Sequence, residues 1–175
     1  MPEWYYVGAY WGPRKETALE CARRAERFFH MLGRCDPTFA QWYRGGRGAP
    51  RGLPGHPVRP EAREWEQLFL RGRNRTDVDN EIIEDLGFRE HVWNGKKERT
   101  RIEFHCGGYS PWGGPNSCLL YPPDEGAVRE RILSVPVLAG VLTSTAMAWD
   151  PDFAMASSTE MVRLVQKRKG EVRVG

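Results

Sequence analysis

His105, Cys106 and Cys118 come closest to a metal-binding set in this 175-residue chain. Structural zinc takes Cys or His ligands paired a few residues apart. Here residues 105 and 106 are consecutive in a segment that reads as a strand, so they point to opposite faces and do not converge on one ion. The reading is two core thiols and an exposed imidazole. Glu103 lies on the same strand, as the magnesium-holding carboxylate of a restriction-type nuclease would. The lysine such a site wants two residues later is His105 instead. No Gly-x-Ser-x-Gly segment offers a strained nucleophile elbow. Asp77, Asp79 and Glu81 alternate like the start of a calcium loop, but its sixth position, where glycine must make the turn, is Ile82. The stretch GGYSPWGGPN at 107–116 lacks the terminal Gly-Lys-Ser/Thr of a phosphate loop. Catalytic residues, a metal and a cofactor are therefore expected to be absent, with spatial triads left open and a hydrolase around His105 and Glu103 the last-ranked alternative.

What remains suits binding. Tyr109 and Trp112 sit on that Gly/Pro-rich loop, where large aromatic side chains can anchor a partner. Asp77, Glu81, Glu84 and Asp85 fall on one arc of a helix expected over 77–86, with Val78, Ile82, Ile83 and Leu86 on the opposite side. These six residues, four acidic and two aromatic, are the candidate contact residues. The acids would steer and orient a cationic partner.

The elements that must position them follow from periodicity. Residues 4–11, WYYVGAYW, read as an inner strand ending at Gly12-Pro13, with Val7, Ala9 and Trp11 sharing a face. Ala18, Ala22, Ala25, Phe29 and Leu32 recur at helical spacing before Gly33. Asp36-Pro37 starts a short helix carrying Phe39, Trp42 and Tyr43. From Gly45 to Pro60, nine of sixteen positions are Gly or Pro, so an exposed loop is expected there. A helix with Trp65, Leu68 and Phe69 follows. Segments 88–94 and 99–106 flank Asn94-Gly95 as a hairpin. A short strand at Cys118–Tyr121 leads to a helical region interrupted at Pro136, then to a strand at Phe153–Ala156 and a charged, strand-poor tail. The fold class is α+β: a mainly antiparallel sheet flanked by helices, in one domain spanning 1–175.

Composition narrows the class further. The chain is 40% hydrophobic and 28% charged, ordinary for a folded domain. Its net charge of +3, from 26 basic and 23 acidic residues, is too balanced to imply nucleic-acid binding. The runner-up reading, sequence-tolerant nucleic-acid binding, would use Arg71, Arg73, Arg75, Lys96, Lys97, Arg99 and Arg101 beside exposed aromatics. Neither a signal-like start nor an apolar run of spanning length is present, so a cytoplasmic chain with reduced thiols is expected.

Five segments together carry a resemblance: YYVGAYWGPR at 5–14, DPTFAQWYRGG at 36–46, RGRNRTDVDNEIIEDLGF at 71–88, HCGGYSPWGGPNS at 105–117 and AWDPDFAMASS at 148–158. In that order they resemble the immunity protein 52 family, made beside polymorphic toxins in bacteria. The resemblance implies a cytoplasmic, non-enzymatic protein that binds its cognate toxin, a restriction-endonuclease-type nuclease delivered by a contact-dependent or type VI-like route. Two departures stand out. Family members continue past the segment matching EVRVG at 171–175, so a sheet edge is expected to be left open. The basic balance also speaks against mimicry of nucleic acid by the whole surface.

Overall fold

A computed structural model describes residues 3–45 and 54–171, with side chains through residue 166. Seven strands form one antiparallel sheet in the order β3-β2-β4-β5-β6-β1-β7. They are β1 (Tyr5–Trp11), β2 (Trp42–Arg44), β3 (His56–Val58), β4 (Phe88–Trp93), β5 (Arg101–Cys106), β6 (Asn116–Tyr121) and β7 (Phe153–Ser158). The helices are α1 (Ala18–Leu32), α2 (Ala62–Arg71), α3 (Ala127–Ile132), α4 (Val135–Trp149) and α5 (Thr159–Glu171).

Alternation decides which face of the sheet is covered. On β5, Ile102, Phe104 and Cys106 are buried while Arg101, Glu103 and His105 are not. On β1, Val7, Ala9 and Trp11 turn to the same covered side, so the strand lies inside the sheet as expected, between β6 and β7. Helix α1 packs between α2 and α4, and its Ala22, Ala25 and Phe29 are buried. Its start is fixed by a capping box: Glu20 N–H donates to Thr17 Oγ1 (3.2 Å), and Glu20 Oε2 accepts from Thr17 N–H (2.7 Å). The core is aromatic. The Phe104 ring touches Phe28, Phe29, Trp65, Phe69 and Trp149, all at centroid distances of 5.2–6.1 Å. The indole N–H groups of Trp11, Trp65 and Trp149 are buried with no protein acceptor, each at a cost of about 1–3 kcal/mol that the ring contacts must outweigh.

Three expectations are corrected. The segment after Asp36-Pro37 is a single 3-10 turn, Pro37–Phe39, capped by Asp36, and Trp42 and Tyr43 belong to β2. The Gly/Pro-rich stretch at 45–60, of which 46–53 lie outside the described residues, contains strand β3. The charged tail is strand-poor as expected, but its helix α5 was not anticipated. The third correction is the helix over 77–86: that segment is a hairpin-like excursion between α2 and β4, closing in a 3-10 turn at Glu84–Leu86.

Candidate functional site

The excursion at 73–87 is non-helical because its side chains take over the backbone groups a helix would need. Thr76 Oγ1 accepts from Glu81 N–H (3.0 Å), and Arg75 donates to Asn80 O (2.8 Å). Asn80 adopts φ 55°, a left-handed conformation that asparagine tolerates. Thr76 N–H bonds Glu81 O and Ile83 N–H bonds Asn74 O, both at 2.9 Å, so the arms pair as a short ribbon. Val78 stands at the tip, 90% exposed, and Ile82 is exposed as well, not inward as helical spacing implied.

The 107–116 loop is fastened directly to this ribbon. The N–H groups of Tyr109 and Ser110 both donate to Asp85 O, at 2.8 and 2.9 Å. The His105 ring lies between the two loops, Nε2 at 3.0 Å from Leu86 O and Nδ1 at 3.1 Å from Pro115 O. Asn74 adds bonds to Leu86 O and Gly87 O. Asn116 is buried and satisfies three loop groups at once: it donates to Gly12 O (2.8 Å) and Gly108 O (2.9 Å) and accepts from Gly108 N–H (2.8 Å). Gly87 completes the join with φ 66°; a Cβ there would run into the Cys106 carbonyl.

The two candidate segments are thereby brought side by side. Asp77, Glu81 and Glu84 are exposed, while Asp85 is half-buried because its carbonyl holds the second loop. Trp112 is 94% exposed. Tyr109 is half-buried under the Lys15 ammonium, 4.9 Å above its ring. A cleft of about 360 Å³ opens beside Tyr109, with the first turn of α1 on one wall and Ile82 and Glu84 on the other. Among the described residues, none of Asp77, Asp79, Glu81, Glu84 and Asp85 has a cation within 4.0 Å. Arg73 and Arg75 share the ribbon, Arg75 bonding Asn80 O, without closing an ion pair on these acids. Asn74, His105 and Asn116 were not legible as site residues, because their role is to clamp loops that only the fold brings together.

The remaining candidate residues lie elsewhere in the fold. Cys106 and Cys118 are fully buried, and burial pushes both thiols well above the ordinary range, with a hydrogen bond to Cys21 adding to the effect at Cys106. Among the described residues, no three His, Cys, Asp or Glu side chains converge as metal ligands. Glu103 sits 3.5 Å from Arg101. The two basic clusters lie at opposite ends of the β4–β5 hairpin, a six-residue span of roughly 20 Å. The arginines of the far cluster are spent on aromatic rings, Arg99 on Trp93 and Arg101 on Tyr121. No helix among the described residues is long and apolar enough to cross a membrane.

The fold is a one-sheet α+β domain in which the two candidate loops are clamped side by side. The chain belongs to the immunity protein 52 family, whose description, Immunity protein 52, matches residues 3–173. Immunity against a toxin is the role that membership carries. Comparison with curated proteins found no match.

Proposed function

We propose that this protein neutralises its cognate toxin by stoichiometric binding through the 73–87 and 107–116 loops, with no catalysis of its own. The observation that carries the reading is Trp112, 94% exposed on a loop whose backbone is held by Asp85, His105 and Asn116. A bare indole on a fixed loop binds with little ordering cost, which is how interface hot spots gain affinity. Asp77, Glu81, Glu84 and Asp85 supply complementary charge for a basic cleft, and Tyr109 lines the floor beside them. A basic cleft is what a nuclease toxin of restriction-endonuclease type presents to its substrate, and the cytoplasm, where that substrate lies, is the compartment to protect.

Co-expression with the toxin encoded beside this chain tests the proposal. Wild type should restore growth, and Trp112→Ala should weaken toxin affinity on the order of tenfold or more with little change in melting temperature. Equal killing with and without the wild-type protein would reject the role. Full protection by Trp112→Ala at unchanged affinity would reject the site.

A further inference from the structure

Exposed apolar side chains fall mainly on two stretches of the chain. Of ten large hydrophobic side chains exposed among the described residues, Val78 and Ile82 are on the 73–87 ribbon and Trp112 is on its neighbour. Six others, Val135, Met147, Phe153, Met161, Leu164 and Val165, lie on the consecutive elements α4, β7 and α5. Both helices pack on β7.

Strand β7 is also the unguarded edge of the sheet. At the other edge, β3 is three residues long with Pro57 at its middle, two devices that block further strand addition. In contrast, β7 has six residues, FAMASS, without proline or charge. It pairs with β1 in unbroken register from Tyr5 opposite Ser158 to Tyr10 opposite Phe153, with no bulge to turn the edge away. Its outward N–H and C=O groups have no strand partner among the described residues. Beside it, α4 (VPVLAGVLTSTAMAW) has no charged residue, and its ridge of Val135, Ala139, Thr143 and Met147 is exposed.

We infer that β7 is the interface with a second copy of this chain, the two strands pairing antiparallel across a two-fold axis. Around such an axis every charge faces its own image, so a self-complementary surface has to be neutral near it. Phe153–Ser158 and the α4 ridge meet that condition, whereas the acidic loop edge calls for a partner of opposite charge. Register fits as well. A two-fold through Met155 sets Met155 against its image, Phe153 against Ser157 and Ala154 against Ala156, each pair sharing a face. Phe153 and Met155 lie on the open face beside Tyr10 and Tyr6. On the helix side only alanines meet across the axis, with Leu138 of α4 and Met161 of α5 beside them in each copy.

Sedimentation of the full chain over a concentration series tests the pairing. The weight-average mass of wild type should rise two-fold. Met155→Lys and Met155→Glu, each checked for a cooperative melt, should stay monomeric at concentrations where wild type is dimeric. An equimolar mixture of the two should recover the dimer, because a lysine then faces a glutamate. If the Met155 variants do not fold, Phe153→Lys at the exposed strand end gives the same readout. A wild-type chain that is monomeric throughout overturns the inference, as does a dimer that survives these substitutions. So does a monomeric wild type whose toxin binding is abolished by Met155→Lys, which would give the edge to the toxin. Loss of protection by Trp112→Ala leaves the sedimentation result untouched, so the two proposals fail separately.

Discussion

Asp36 shows how one carboxylate ties together elements far apart in sequence. It caps the 3-10 turn through Thr38 N–H at 2.8 Å and takes two bonds from Arg131 on α3, at 2.6 and 3.1 Å. Burial opposes its charge, but the Arg131 guanidinium and the Thr38 hydroxyl and N–H outweigh burial and hold the carboxyl at about 2, against an ordinary 3.8. Because the folded value is the lower one, the stabilisation is fully present above about pH 4 and is lost as pH falls through about 2. Its size is on the order of 2 kcal/mol at most, since Arg131 is half-exposed and water screens part of it. Asp36→Asn should therefore lower the melting temperature near neutrality and flatten its fall between pH 4 and 2. A variant that melts like wild type at neutral pH would show the pair to be idle.

Among the elements, the 73–87 ribbon carries exposed charge that can be changed without touching the core. Reversing Asp77, Glu81 and Glu84 to Lys should leave the melt nearly unchanged, because exposed charges contribute only about 0–1 kcal/mol. Toxin association should slow on the order of tenfold at low salt and lose most of its salt dependence. Unchanged association kinetics would remove the ribbon from the interface. The same ribbon marks where sequence reading stopped. The β4–β5 hairpin was legible because Ile102, Phe104 and Cys106 alternate strictly and Gly95, at φ 67°, supplies the turn. Over 77–86 the apolar spacing imitated a helix, but Val78 and Ile82 belong to a tip and an arm of a ribbon set by Thr76 and Asn80, which bond backbone locally. Strands β2 and β3 were hidden by shortness and by Pro57, and α5 by a tail too charged to show an apolar face. The candidate residues were legible by type, but their adjacency rests on contacts between Asp85 and Tyr109, which no periodicity contains.

For the whole molecule, Phe104 is the point through which the layers are joined. Its ring meets α1 at Phe28 and Phe29, α2 at Trp65 and Phe69, and α4 at Trp149. Phe104→Ala should cost about 3–5 kcal/mol, a fall of roughly 10 °C or more in melting temperature for a chain of this size. Phe104→Leu, which keeps most of the volume, should cost far less. A small loss in the alanine variant would mean that the three helices hold together without the sheet.

The contrast between the bare indole of Trp112 and the buried, acceptor-free indoles of Trp11, Trp65 and Trp149 gives the protein an optical consequence. Indoles shut away from water without an acceptor emit toward the blue and are shielded from dissolved quenchers, while an indole in water emits toward the red and is readily quenched. The native protein therefore contains spectrally distinct reporters, one group for the integrity of the core and another that samples the loop surface. A partner seated on that loop would shift and protect the Trp112 share of the red component, leaving the core indoles and the half-exposed Trp4 unchanged, so docking and unfolding can be told apart by fluorescence without attaching any label.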